Sequence, residues 1–294
     1  MTKLLELLRS GQVLLCDGAM GTGLQARGLD QGDCPERWNL TRPDDVQAVT
    51  AGYVAAGSDL VETNSFGGTS IKLAHYGLAE QAAQINRRAA QIARQAAGHQ
   101  VLVAASVGPT GALLEPYGPL TEAQAYEAFA QQVLALAEGG ADAICIETML
   151  ALEEAKIALR AAKENTSLPV LVTFTFDKTA RGDFRTVFGV SPSQVARELP
   201  AAGADVIGSN CGSGVEQLLE VCRALRAQTA APLLIQPNAG LPLIENGKTI
   251  FPATPEHLAG FVDALVTAGA NLIGGCCGTT PAHIAAMRRR LPRK

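Results

Sequence analysis

Short β-branched segments alternate with longer alanine-rich amphipathic segments along the whole chain. The predicted strands are residues 13–16, 60–63, 101–107, 143–147, 170–176, 206–209, 233–236 and 272–275. The predicted helices are residues 43–56, 79–97, 122–138, 153–163, 192–199, 215–228 and 255–268, with a last one from Pro281. Such alternation is typical of a parallel sheet covered by helices.

A short motif recurs before every second predicted strand, at residues 56–59, 139–142, 202–205 and 268–271. In each copy a glycine ends a helix, where it supplies a left-handed turn, and Asp or Asn then precedes the strand. A unit that repeats four times, once every two strands, is expected of a closed eight-stranded sheet. The pattern therefore predicts the α/β class and a single (β/α)8 TIM barrel over residues 1–294. An open doubly wound sheet, the alternative, usually has fewer strands at this length.

Bulk composition excludes several classes of partner. The net charge is −4, from 24 basic and 28 acidic residues, which argues against a nucleic-acid partner. No segment has the roughly 18 uncharged apolar residues of a membrane span, and the first 15 residues do not resemble a signal peptide. We therefore expect no membrane partner and a cytoplasmic protein. Seven cysteines without an export signal favour free or metal-bound thiols over disulfides.

Polar side chains gather where the predicted strands end, which is where barrel enzymes carry their reactive groups. The carboxylates there are suited to holding the ammonium of an amino acid, and the amides of residues 18–22 to holding its carboxylate. The alternative is that these carboxylates cap local backbone amides. The candidate substrate-binding residues are Asp17, Gly18, Ala19, Glu62, Thr63, Asn64, Glu147 and Asn210.

Three cysteines lie at strand ends among glycines. Cys211 ends the sixth strand, and Cys276 and Cys277 follow the eighth. Adjacent residues of a strand point to opposite faces, so the pair can share a metal only if the chain leaves strand geometry, which the flanking glycines allow. The alternatives are buried apolar thiols or a glycine-rich phosphate cradle. The remaining cysteines are predicted to be structural: Cys16, Cys34, Cys145 and Cys222.

Three thiolates favour zinc with one coordination position open. Three thiolates around Zn²⁺ leave a net charge of about −1, which makes the metal a poor Lewis acid for carbonyls. It is well suited to binding a fourth thiol and lowering the pKa of that thiol. This chemistry indicates alkyl transfer onto sulfur rather than hydrolysis.

Several motifs together resemble the homocysteine S-methyltransferase family: residues 17–22, 62–64, 108–111, 210–211 and 275–281. The resemblance covers essentially the whole chain. It implies a zinc barrel with Cys211, Cys276 and Cys277 as metal ligands, and contacts from Asp17 and Glu147 to the amino group of homocysteine. Residues 237–242 and 245–248 further resemble the homocysteine-binding module of cobalamin-dependent methionine synthase.

That resemblance implies zinc-dependent methyl transfer to the thiol of homocysteine, giving methionine. The implied donor is methylcobalamin, presented by a separate corrinoid protein or by folate and cobalamin modules. S-methylmethionine, S-adenosylmethionine or a betaine-type compound are alternative donors for the same acceptor. Two alternatives of other classes are a TIM-barrel glycosidase that uses Asp17 and Glu147, and a non-catalytic zinc-thiol binding protein.

Overall fold

Eight parallel strands form one sheet in the computed structural model, which describes residues 2–245 and 248–291. In chain order they are β1 (Leu14–Leu15), β2 (Leu60–Glu62), β3 (Leu102–Val107), β4 (Ala143–Met149), β5 (Val170–Phe174), β6 (Val206–Cys211), β7 (Leu233–Pro237) and β8 (Leu272–Ile273). Each strand pairs with its neighbours in sequence, and β8 pairs with β1. A parallel bridge between Cys16 and Leu60 closes the ring between β1 and β2. The predicted TIM barrel is confirmed.

The helices surround this barrel. In the described residues they are α1 (Lys3–Arg9), α2 (Met20–Gln25), α3 (Trp38–Thr41), α4 (Pro43–Ala56), α5 (Ser70–Ala74), α6 (Ala82–Ala97), α7 (Glu122–Glu138), α8 (Leu152–Asn165), α9 (Pro192–Ala201), α10 (Val215–Arg226), α11 (Pro255–Gly260), α12 (Val262–Thr267) and α13 (Pro281–Arg288). Short 3₁₀ turns occupy Pro35–Arg37 and Ala79–Gln81. No helix in the described part of the chain is long and apolar enough to cross a membrane.

Some boundaries differ from the sequence-based expectation. The predicted helix 255–268 is two helices separated at Phe261, and β8 is shorter than predicted because the chain leaves the sheet at Gly274. Helix α1 was not predicted, and its Leu4 and Leu8 pack into the lower end of the barrel core. Two hairpins were also missed, Asp177–Lys178 with Phe184–Arg185 and Leu243–Glu245 with Lys248–Ile250.

The recurring sequence motif forms the same arrangement of hydrogen bonds four times at the lower end of the barrel. Its glycines all adopt the left-handed conformation, with φ from 97° to 101°, at Gly57, Gly140, Gly203 and Gly269. The following Asp or Asn side chain accepts a hydrogen bond from a backbone N–H at the start of the preceding strand. The pairs are Leu15 to Asp59 (2.9 Å), Val103 to Asp142 (2.8 Å), Val170 to Asp205 (2.8 Å) and Leu233 to Asn271 (2.9 Å).

A cationic side chain contacts each of these four acceptors. The contacts are Arg288 with Asp59, Arg94 with Asp142, Lys163 with Asp205 and Arg226 with Asn271. Each clasp, meaning the glycine, its Asp or Asn and the cation, thus joins two strands and a helix. The clasps join neighbouring strands at the lower end of the barrel. The loops at the upper end are not needed for these bonds and are available to form a site.

Candidate metal and substrate site

The three predicted metal-binding cysteines meet at the upper end of the barrel. The Sγ atoms of Cys211, Cys276 and Cys277 all lie within 4.8 Å of one another. Around a tetrahedral zinc with bonds of about 2.3 Å, thiolate sulfurs lie roughly 3.8 Å apart, so small side-chain adjustments suffice. The cluster could therefore hold a metal ion, and three thiolates are the donor set of zinc rather than of magnesium or calcium.

Backbone geometry brings the cysteines together as predicted, because the chain has left the sheet before Cys276. The N–H of Cys276 donates to the carbonyl of Pro237 (2.8 Å), and Ala239 donates to the carbonyl of Cys277 (2.9 Å). Cys211 has a φ of 65°, which is unusual for a residue other than glycine. A left-handed residue of this kind costs on the order of 1–3 kcal/mol and is typical of functional sites.

Two asparagine amides donate hydrogen bonds to the cluster. Asn238 Nδ2 lies 3.6 Å from the Sγ of Cys211, and Asn210 Nδ2 lies 3.8 Å from the Sγ of Cys276. Hydrogen bonds from Cys276, Cys277 and Asn238 lower the pKa of the Cys211 thiol. The hydrogen bond between the two thiols has the opposite effect on Cys276 and raises the pKa of its thiol. Donors of this kind stabilise thiolate charge, which favours binding of a soft cation.

A cavity of about 400 Å³ adjoins the cysteines and has the size of a small-molecule site. Six of the eight predicted substrate residues line it: Gly18, Ala19, Glu62, Thr63, Asn64 and Glu147. Its lining residues in the described chain include no Lys or Arg. An acidic cavity of this kind favours a ligand that carries a positive group, such as an ammonium.

Asp17 and Asn210, the other two predicted residues, lie behind the cavity wall. Asp17 is buried, and its Oδ2 accepts the backbone N–H of Glu62 (2.8 Å), whereas its Oδ1 has no hydrogen-bond partner among the described residues. Asn210 donates from Nδ2 to Glu147 Oε2 (3.0 Å) and to Thr148 Oγ1 (2.8 Å). Through these bonds and its contact with Cys276, Asn210 connects the carboxylate at the cavity to the cysteine cluster.

Burial raises the pKa of Glu147 well above its ordinary value, and the Glu62 carboxylate raises it further. The same two causes raise the pKa of Asp17. Burial also raises the pKa of Glu62, although its hydrogen bond from Gln236 Nε2 (3.1 Å) opposes the shift. Ionising Asp17, Glu62 and Glu147 together is costly because the three buried carboxylates repel one another. The ammonium of a ligand would offset that cost.

This crowding predicts a gain in stability from Glu62→Gln. A carboxyl whose folded pKa is raised binds more protons in the folded state, so its ionisation destabilises the protein as pH rises above the unfolded value of about 4.3. At pH 8, with EDTA and without ligand, we expect Glu62→Gln to raise Tm by roughly 2 °C or more, and the gain to shrink towards pH 4.5. Calorimetry at both pH values tests this; a destabilised variant at pH 8 would contradict it.

Several cavity residues were not predicted from the sequence. Pro35 and Glu36 lie on the loop that follows α2, and this loop was not expected to reach the site. Glu36 Oε1 accepts the N–H of Gly67 (2.6 Å), and the Asn64 amide donates to the carbonyl of Pro35 (2.8 Å). Thus Asn64 fixes this loop. Ser106, also missed, donates a short hydrogen bond to Glu147.

The other four cysteines lie outside the cluster, as free buried thiols: Cys16, Cys34, Cys145 and Cys222. Of the segment 245–248, which carried part of the family resemblance, Asn246 and Gly247 lie outside the described residues.

Comparison with known proteins gives consistent results. A family model described as homocysteine S-methyltransferase matches residues 14–291. Methionine synthases of Mycobacterium tuberculosis and Mycobacterium leprae are each 35% identical to the chain over 304 residues, covering 96% of it. These alignments cover 25% and 24% of the two relatives, so the chain spans about a quarter of the length of the curated relatives it matches.

Solved structures give the same result. The metallated form of the homocysteine methyltransferase MmuM from Escherichia coli has a TM-score of 0.81 and 27% identity, covering 97% of this chain and 98% of that one. Its apo form has a TM-score of 0.74 at 25% identity, covering 97% and 98%. The carboxyl transferase domain of Rhizobium etli pyruvate carboxylase, at 16% identity and a TM-score of 0.55, is similar in fold alone; the match covers 97% of this chain and 48% of that one.

Proposed function

The chain belongs to the homocysteine S-methyltransferase family, and we propose that it is a methyltransferase that methylates the thiol of homocysteine to give methionine with the help of a zinc ion. The observation that carries the proposal is the convergence of three cysteine thiols beside an acidic cavity. We also propose that residues 1–294 form one homocysteine-binding domain.

In this proposal Cys211, Cys276 and Cys277 hold the metal. When bound, zinc supplies a fourth position for the substrate sulfur and lowers the pKa of its thiol, whose proton goes to solvent. The metallated form of the structurally similar MmuM supports a metal in this barrel. The amides of Asn210 and Asn238 remain hydrogen-bonded to the cysteine sulfurs and stabilise their charge.

The cavity residues are proposed to hold the amino-acid end of homocysteine. Glu147 and Glu62 line the cavity and would contact the ammonium, and Asp17, behind the wall, positions Glu62 through the bond to its backbone N–H. The backbone N–H groups at the start of α2, beside the cavity, are proposed to bind the carboxylate. With both ends fixed, the sulfur forms a bond to the methyl carbon as the bond from that carbon to the donor breaks, and the donor keeps the electron pair.

A methyl-corrinoid presented by another protein or module is the donor we propose. Long loops after β3, β5 and β7 carry exposed apolar side chains at the upper end: Tyr117 is 85% exposed, Phe188 54% and Ile244 82%. Such side chains are typical of an interaction surface rather than of a site for a small donor alone. The long methionine synthase relatives support a donor carried on further modules.

Two alternatives are less well supported. A glycosidase needs aromatic platforms for sugars, and Phe66 is the one aromatic residue among the described residues that line the cavity. A non-catalytic zinc-thiol protein has no need for the acidic cavity beside its cysteines. It predicts zinc binding without turnover.

One assay separates these functions and donors. Purified protein loaded with zinc is incubated with homocysteine and, in parallel, with methylcobalamin, S-methylmethionine, S-adenosylmethionine or betaine, and methionine is quantified. We expect methionine with methylcobalamin and little with the other donors. Turnover with S-methylmethionine instead would replace the proposed donor, and no methionine with any donor would contradict the proposed reaction.

A further inference from the structure

Two loops are bonded to each other where β8 meets β1. We call residues 17–19 the substrate loop and residues 274–279 the cysteine loop. The N–H of Gly275 donates to the carbonyl of Asp17 (2.8 Å). The Thr279 hydroxyl accepts the N–H of Ala19 (3.1 Å) and donates to the carbonyl of Cys276 (2.7 Å). One hydroxyl group therefore connects the cavity wall to the backbone of a metal-binding cysteine.

Tyr53, on α4, also connects the substrate loop to the cysteine loop, from the side of the surrounding helices. Its hydroxyl lies 2.9 Å from the carbonyl oxygen of Ala19 and 3.0 Å from that of Thr279, so its single proton is shared between the two loops. Tyr53 and Thr279 are each only 1% exposed, which leaves water no access to replace these bonds. Burial raises the pKa of Tyr53, so the hydroxyl keeps its proton and remains a donor.

The space around the Thr279 hydroxyl is filled by its neighbours. A Cβ atom at Gly18 would lie 2.5 Å from Thr279 Oγ1, and one at Gly275 would lie 2.4 Å from it. A side chain at Gly18 would therefore push the two loops apart, and one at Gly275 would displace Thr279 within the cysteine loop. The two loops are in contact through their backbones and the Thr279 hydroxyl, with no space left between them. The distance between the loops is therefore fixed by close packing.

We propose that Thr279 and Tyr53 are positioning residues that fix this separation and thereby select homocysteine over cysteine, which is one methylene shorter. The inference rests on the proposed function, in which the cysteine loop holds the substrate sulfur. The substrate loop forms part of the cavity wall and leads into α2, so it helps to position the amino-acid end. A site of fixed length leaves a shorter thiol amino acid unable to reach both ends. A deformable site could contract around cysteine and bind both of its ends. One methylene changes binding by about 10–200-fold, so this is the range of discrimination that a site of fixed length would provide.

The test compares equilibrium binding of homocysteine and cysteine to zinc-loaded protein by calorimetric titration, which requires no methyl donor. Thr279→Val removes both hydrogen bonds at nearly constant volume, Thr279→Ser keeps them, and Tyr53→Phe removes only the second connection. Thr50→Val is the matched control, because Thr50 is a buried hydroxyl on the same helix that bonds to the Val46 carbonyl of that helix.

We expect Thr279→Val and Tyr53→Phe to lower the ratio of homocysteine to cysteine affinity by about 10-fold, with zinc content unchanged. Turnover of homocysteine should fall by up to about 100-fold, since a misplaced sulfur attacks poorly. Thr279→Ser and Thr50→Val should keep the wild-type ratio. Tyr53→Phe keeps the bond from the Thr279 hydroxyl to the carbonyl of Cys276. It can therefore be used to test the inference if Thr279→Val does not fold.

An affinity ratio within twofold of wild type in folded Thr279→Val and Tyr53→Phe would overturn the inference while leaving the proposed function intact. A wild-type protein that binds zinc but neither thiol amino acid would overturn both, and it is recognised without any variant. A loss of zinc in Thr279→Val would assign the residue to the metal centre instead.

Discussion

Cys276→Ser protein should contain little zinc and form methionine at least about 10³-fold more slowly than wild type. The Sγ of Cys276 is one of the three thiols in the cluster of the described residues, and the backbone of Cys276 is fixed by the carbonyl of Pro237. A hydroxyl is a poor ligand for a soft cation, so two thiolates remain and the substrate thiol loses its activation. That loss corresponds to about 4 kcal/mol of transition-state stabilisation. Metal analysis and a methionine assay measure both effects.

Cys222→Ser is the matched control, because Cys222 is a buried free thiol that contacts the carbonyl of Ala268 far from the cluster. It should keep wild-type zinc content and activity. If Cys276→Ser protein kept both as well, the three cysteines would not form the metal centre, and the proposed reaction would need another source of thiol activation.

Glu147→Gln should raise KM for homocysteine by about 100-fold and leave zinc content unchanged. Glu147 lines the cavity, and hydrogen bonds from Ser106 and Asn210 fix both of its carboxylate oxygens. Removing one partner of a buried charge pair costs about 2–5 kcal/mol, and the amide has no charge for the substrate ammonium. Steady-state kinetics over a wide range of homocysteine concentration measures the change.

Glu154→Gln provides the comparison. Glu154 is equally buried, but its carboxylate binds the N–H and hydroxyl of Thr110 rather than the cavity. This variant should keep the wild-type KM, whatever its effect on stability. A KM for Glu147→Gln as low as that of Glu154→Gln would mean that the substrate ammonium is held elsewhere.

The barrel was predictable because its signals are local. Gly140 and Asp142 occur together in the sequence, and the structure uses them together: Gly140 turns the chain and Asp142 receives a strand N–H. The meeting of Cys276 and Cys277 with Cys211 could be predicted because strand order alone brings the ends of β6 and β8 near each other.

The missed residues depend on contacts between distant segments. Glu36 reaches the cavity because its carboxylate binds Gly67 and because the Asn64 amide holds Pro35, and no spacing in the sequence encodes that meeting. Asp17 was expected at the cavity and lies behind its wall, since its carboxylate is turned to the N–H of Glu62. Periodicity locates strand ends but does not determine which way a side chain at that end is turned.

The four clasps have an evolutionary consequence. They occupy the lower end of the barrel, whereas the residues of the cysteine cluster and the cavity lie near the upper ends of strands or in loops at that end. Selection for foldability and selection for chemistry therefore act on different residues. Substitutions in the upper loops can therefore change what binds there without disturbing the bonds that hold the lower end of the barrel together.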